Sequence, residues 1–168
     1  GFSSDFTIYD EADSRSLLKS IIKEMGLSEK TYKPAAVHAR ISMAKNQLIG
    51  VDSYESDSDI LSQNKRAGMP EIAKIYREYV QRCKLANAMD FDDLLLLPYK
   101  ILKNNQKLAD EISQKYQYIM VDEYQDTNEL QYRLLRLLCS SHSNLCVVGD
   151  DDQSIHGWRG ATIKNILN

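Results

Sequence analysis

Tyr118-Ile119-Met120-Val121-Asp122-Glu123 is a short apolar run that ends in two carboxylates. A second run, Leu145-Cys146-Val147-Val148, ends in Gly149-Asp150. Between them Leu130, Leu134, Leu137 and Leu138 recur at helical spacing. Apolar strands separated by one helix form the pattern of a βαβ unit in a buried parallel sheet. In open sheets of this kind, ligands bind beyond the carboxyl ends of the strands. The spacing therefore puts Asp122, Glu123, Asp150 and Gln153 on one rim. An Asp-Glu pair in that position suits phosphate chemistry. The Asp holds Mg²⁺, usually through water, and the Glu orients or deprotonates an attacking water. Mg²⁺ takes hard oxygen ligands and keeps most of its waters, so one carboxylate beside a triphosphate is enough. A bare acidic pair after a strand is more often a helix cap or loop, so this signal alone is modest.

Upstream the pattern changes. Residues 10 to about 115 read as helices joined by short polar turns, with no convincing strand. The first helix starts after Asp10, faces the core with Leu18, Ile21, Ile22 and Met25, and ends at Gly26. The second starts at Pro34 and carries Val37, Ile41, Ala44 and Leu48. The Ser- and Asp-rich segment from Gly50 to Ser62 reads as loop, with a short helix towards Arg66. A long helix from Pro70 buries Ile72, Tyr76, Tyr79, Cys83 and Ala86. Asp90 reads as the N-cap of a helix through Leu94 to Leu97, which Pro98 should kink or interrupt. A further helix covers Gln106 to Gln114.

The chain has 168 residues, is 43% hydrophobic and 27% charged, and carries a net charge of −3. This is the composition of a folded domain, not of a disordered chain. No apolar run approaches the length of a bilayer span, and nothing at the N-terminus reads as a signal peptide, so the expectation is a soluble, cytoplasmic protein without a membrane partner. The chain starts at Gly1, which fits either a cut fragment or removal of an initiator Met. Cys83, Cys139 and Cys146 form no CxxC pair, which argues against a disulfide framework or zinc site and for buried thiols. The histidines are scattered and imply no metal cluster.

The full motifs are more specific than the strand ends. Val121-Asp122-Glu123-Tyr124-Gln125-Asp126-Thr127-Asn128 resembles motif II of the UvrD/Rep family of superfamily 1 helicases. The run Val147-Val148-Gly149-Asp150-Asp151-Asp152-Gln153-Ser154-Ile155-His156-Gly157-Trp158-Arg159-Gly160-Ala161 resembles that family's motif III. Asp90-Phe91-Asp92-Asp93-Leu94-Leu95 resembles a segment these helicases carry before motif II, and Phe6-Thr7-Ile8-Tyr9-Asp10 the start of their helical insertion. The resemblance implies an α/β, predominantly helical fold. Residues 1–89 would form the helical insertion, and 90–168 part of a RecA-like P-loop NTPase parallel sheet.

Residue by residue, the resemblance makes Asp122 the Mg²⁺-associated carboxylate, Glu123 the catalytic base and Gln153 the sensor of the ATP γ-phosphate. It makes Trp158 and Arg159 the pair that meets single-stranded DNA. An indole face is a sequence-tolerant platform for a base, and Arg adds phosphate contacts. Where the family usually has Tyr, this chain has His156, whose imidazole can also stack on a base or bond a phosphate. Asp126 reads as the cap of the following helix, and Gln125 receives no role. On the helix from Pro70, Lys74, Arg77, Gln81 and Lys84 share a face away from the apolar stripe, with Lys65, Arg66 and Arg82 close in sequence. A solvated face is the simpler reading of such a stripe. The resemblance places it near incoming duplex DNA, which assigns Lys74, Arg77 and Lys84 to phosphates.

No G-x-x-x-x-G-K-[ST] occurs: the seven glycines stand at 1, 26, 50, 68, 149, 157 and 160, and none precedes Lys. The chain is thus expected to hold half of an ATP site and to be inactive alone. The implied whole is a 3′-to-5′ ATP-dependent DNA helicase. The alternatives are a helicase–nuclease subunit of the RecB/AddA kind and a non-catalytic DNA- or protein-binding module.

Overall fold

The computed structural model describes residues 2–150. They divide into two compact units, one of residues 2–45 with 49–94 and the other of 46–48 with 95–150. The class is α/β, mostly helical, with small parallel sheets.

The first unit contains β1 (Thr7–Tyr9), α1 (Glu11–Glu24), most of α2 (Pro34–Asn46), α3 (Val51–Ser56), α4 (Ser58–Arg66), α5 (Ile72–Leu85) and β2 (Ala88–Asp90). Asp10 starts α1 by accepting from Asp13 N–H at 2.8 Å, while Asp13 accepts from Asp10 N–H at 3.2 Å. This reciprocal cap satisfies donors that the first helical turn leaves unpaired. At the other end Gly26 sits at φ +68°, and the N–H groups of Gly26 and Leu27 return to the carbonyls of Lys23 and Ile22. A side chain is strained in that left-handed conformation, so glycine terminates the helix cheaply. Leu18, Ile21, Ile22, Val37, Ile41, Ile72, Ile75 and Tyr79 form a fully buried centre.

Several expectations are corrected here. Ala88-Met89-Asp90 is a strand, paired in parallel with β1 in the register Thr7↔Ala88, Ile8↔Met89, Tyr9↔Asp90. Three residues leave no measurable period, and a partner this distant in sequence is invisible to local patterning. The segment after Gly50 is helical: Asp57 caps α4 by accepting from the N–H groups of Asp59 and Ile60 at 2.9 and 3.0 Å. Ser56 Oγ donates to the carbonyls of Asp52 and Ser53 at 2.9 and 3.2 Å within α3, and Tyr54 is buried in the core. The long helix begins at Ile72, not Pro70, and Ala86 is its exposed C-cap rather than a core residue.

Lys45 is 2% exposed, with its ammonium 2.6 Å from Asp90 and 2.8 Å from Asp93. Tyr79 donates its hydroxyl to Asp90 at 2.9 Å. Burial by itself would lower the lysine pKa; the two carboxylates outweigh it and hold the ammonium above the usual lysine range. Asp90 also accepts from Asp93 N–H at 2.9 Å, the bond expected of a helix cap, although it is the last residue of β2.

The second unit contains the rest of α6 (Asp93–Lys103), α7 (Gln106–Lys115), β3 (Ile119–Val121), a 3₁₀ turn (Tyr124–Asp126), α8 (Glu129–Leu138) and β4 (Leu145–Val147). Helix α6 runs through Pro98 to Lys103 without interruption. The missing N–H costs one helical bond, and burial of Leu96, Tyr99 and Leu102 around the proline outweighs it. Leu48 lies past the end of α2, at φ 61°, and packs with Leu96, Tyr99 and Leu130 instead of extending the α2 stripe. Asn128, not Asp126, caps α8: it accepts from Gln131 N–H at 2.9 Å and Gln131 accepts from Asn128 N–H at 3.1 Å. Asp126 is taken up by the preceding turn.

Strands β3 and β4 are parallel, in the register Ile119↔Leu145, Met120↔Cys146, Val121↔Val147, with α8 between them in sequence. They are not buried on both faces. Met120 is 78% exposed and Val148 55%, and Cys146 is exposed whereas Cys83 and Cys139 are buried. A two-stranded pair leaves such side chains at the surface. No helix of the described residues is long and apolar enough to cross a membrane.

Candidate functional site

The parallel register carries β3 and β4 to a common carboxyl end, where Asp122 and Glu123 follow Val121. Pairing continues past the strands: Val148 N–H donates to Val121 O at 2.8 Å and Tyr124 N–H to Val148 O at 3.0 Å. Both acidic residues are exposed. Asp122 Oδ1 accepts from Glu123 N–H at 2.8 Å. Glu123 has φ 51° and ψ 41°, the left-handed region, where a non-glycine side chain is strained by about 1–3 kcal/mol. In that conformation the chain leaves the strand and enters the 3₁₀ turn that follows.

Gln125 is 2% exposed and joins the two strand ends. Its Nε2 donates to Glu123 Oε2 at 2.5 Å, and its Oε1 accepts from Asp150 N–H at 3.0 Å. Gly149 passes so close that a Cβ there would stand 2.6 Å from Gln125 Oε1 and 3.2 Å from the backbone nitrogens of Tyr124 and Gln125. Beside the acidic pair lies a cleft of about 390 Å³, lined by Val121, Asp122, Glu123, Asp126, Thr127 and Gln131, with leucines of α6 and α8 behind them. Its size is within the ordinary range of small-molecule sites.

Among the described residues no group of three or more His, Cys, Asp or Glu side chains could hold a metal ion by itself. Asp122 nevertheless fits Mg²⁺ as a single exposed hard-oxygen donor, because that ion is commonly held by one or two carboxylates together with phosphate oxygens and water. Gln153, His156, Trp158 and Arg159 lie outside the described residues.

The basic stripe is less free than its sequence implies. Arg77 forks onto Glu55 at 2.8 and 2.6 Å and reaches Asp52 at 2.7 Å, and these bonds raise its pKa. Lys74 is paired with Glu71 at 2.6 Å but remains largely exposed. Lys84 is exposed and makes no ion pair among the described residues. Arg82 is shared between Glu24 and Glu78 at 2.5 and 2.7 Å.

Sequence reading did not foresee the placement of Gln125, Gly149 or Asn128. The spacing Asn128-x-x-Gln131 carried the capping signal. Nothing local announces that Gln125 meets Asp150.

A parallel strand ending in an exposed Asp-Glu pair, tied to a second strand end and bordering a cleft, is suited to nucleotide chemistry in an α/β protein. The chain belongs to the UvrD/REP helicase N-terminal domain family, whose model matches residues 1–168. The ATP-dependent DNA helicase PcrA of Staphylococcus aureus is 40% identical over 169 residues, covering all of this chain and 22% of that protein. PcrA of Staphylococcus epidermidis is 39% identical over the same span. The chain thus corresponds to 22% of the length of these relatives.

Proposed function

We propose that this chain is part of an ATP-dependent DNA helicase that moves 3′ to 5′ on single-stranded DNA and unwinds duplex. The observation that carries the reading is the exposed Asp122-Glu123 pair at the shared carboxyl end of two parallel strands, within a motif II sequence. Asp122 would hold Mg²⁺ beside the ATP phosphates, and the ion would polarise the transferred phosphoryl group. Glu123 orients the attacking water and takes its proton. Gln153 senses the γ-phosphate. Trp158, Arg159 and His156 meet single-stranded DNA. Residues 1–89 act as the helical insertion and 90–168 as part of the RecA-like motor. Lys74 and Lys84 supply duplex phosphate contacts. Arg77, already forked onto Glu55, contributes less than its charge suggests.

The phosphate-cradling loop is supplied by sequence outside this chain, so the isolated chain does not hydrolyse ATP. The test is Glu123→Gln in the full-length protein. The amide keeps the shape but cannot accept the proton, so nucleotide binding persists while turnover falls about 10²- to 10⁴-fold. Near-normal turnover would reject Glu123 as the base.

A further inference from the structure

We propose that Gln125 is a positioning residue that aims the Glu123 carboxylate and ties its direction to the end of β4. The inference rests on the reading of Glu123 as the base. The Asp150 backbone N–H can only donate, so the amide atom facing it at 3.0 Å is oxygen. The NH₂ end is then directed at Glu123 Oε2, at 2.5 Å. The other oxygen, Oε1, receives no hydrogen bond from the described residues. One carboxylate oxygen is thereby fixed.

A glutamate side chain on an exposed turn ordinarily samples several rotamers, and a base that must meet one water in one direction loses rate with each wrong one. Gln125 removes that freedom. Being 2% exposed, it cannot follow solvent. It is also wedged from the far side by Gly149, where any Cβ would strike its Oε1. A displacement of the Gly149–Asp150 backbone therefore moves the amide, and the amide moves the base. Gly149 and Asp150 belong to the run that resembles motif III, so changes there reach Glu123 through one side chain.

The experiment uses the full-length helicase, with single-stranded DNA, ATP turnover, binding of a fluorescent ATP analogue and thermal unfolding measured together. Gln125→Met deletes both bonds at similar volume. Gln125→Glu keeps an acceptor for Asp150 N–H and deletes the donor to Glu123. Both are expected to lower kcat about 10- to 100-fold, with KM for ATP and analogue affinity nearly unchanged, because the aim of the base matters only in the chemical step. Gly149→Ala keeps Gln125 but pushes its amide, and should show the same split between kcat and KM.

Normal kcat in folded Gln125→Met overturns the proposal. So does a parallel loss of kcat, nucleotide affinity and melting temperature in all three variants, which marks a merely structural role. Glu123→Gln runs alongside. If it is inactive while Gln125→Met turns over normally, only the positioning role falls. If it too turns over normally, there is no base at 123 to position, and both readings fall.

Discussion

Lys45 Nζ lies 2.6 Å from Asp90 Oδ2, and the two side chains are 2% and 3% exposed. Asp93 and Tyr79 complete the cluster. Burial would raise the Asp90 pKa, but Lys45 and the hydrogen bonds from Lys45, Asp93 N–H and Tyr79 hold it below the usual carboxylate range. Lys45→Met leaves the buried Asp90 and the partly buried Asp93 without their cation. The expected cost is about 3–5 kcal/mol, the usual result of breaking a buried pair from one side. Urea unfolding of the chain measures it, and a loss below about 1 kcal/mol, as for an exposed pair, would contradict the account.

His38 gives the first unit a pH dependence. Its burial lowers its pKa from 6.5, with Arg15 acting in the same direction and Asp90, Asp92 and Glu11 opposing. A group with a depressed folded pKa contributes stability above its unfolded value, and that contribution is lost as pH falls through the folded value. Unfolding free energy should therefore decline as pH drops from 7 through about 6 and below. His38→Gln should flatten that part of the profile, and an unchanged slope would exclude His38 as its source.

At Glu123 the left-handed backbone and the proposed chemistry pull in opposite directions. Glu123→Gly removes the side-chain strain, partly offset by the greater freedom of glycine in the unfolded chain. Loss of the acceptor for the buried Gln125 amide opposes that gain, so the variant should lie within about 1 kcal/mol of the parent, while turnover of the full-length protein collapses. A clear fall in melting temperature would show that the carboxylate stabilises the turn.

Gly149 is required by close approach and not by a positive φ. In Gly149→Ala the new methyl meets Gln125 Oε1 at 2.6 Å and backbone at 3.2 Å, so the strand ends must part. Overpacking of this kind costs about 1–3 kcal/mol. The loss should be smaller in a Gln125→Ala background, where the nearest obstacle is gone, and equal losses in both backgrounds would show that backbone crowding alone matters.

DNA binding should divide by its salt response. Trp158→Ala is expected to weaken single-strand affinity by about 1–3 kcal/mol per stacked base, with a nearly constant salt slope. Removing charge at Lys74 and Lys84 should weaken duplex binding and flatten its logarithmic salt dependence by about 0.9 for each phosphate no longer neutralised. Arg77→Ala should change that slope less, because Glu55 and Asp52 already hold its guanidinium. Fluorescence titrations at several salt concentrations separate these outcomes; equal salt-dependent losses on one DNA form would refute the division.

Local signals carried much of this structure. Asp10, Pro34 and Gly26 mark helix ends because each satisfies or terminates the backbone within a few residues. The apolar runs before Asp122 and Gly149 mark strands, and the stretch between them can only return by a helix if those strands are parallel. The motif II sequence named the carboxylates and the family together.

What the tertiary structure alone decided are relations between residues far apart in the chain. The pairing of Thr7–Tyr9 with Ala88–Asp90 and the choice of Asp90 and Asp93 to receive Lys45 are of this kind. So is the seating of Gln125 between Glu123 and Asp150, and the left-handed turn at Glu123 belongs to the same junction. Asn128 could be read as a cap from its own neighbours, but its bond to Asn46 at 2.8 Å could not. Periodicity reports which face of an element is apolar. It does not report which distant polar group will complete a buried hydrogen bond, because that depends on how packing brings the chain back on itself.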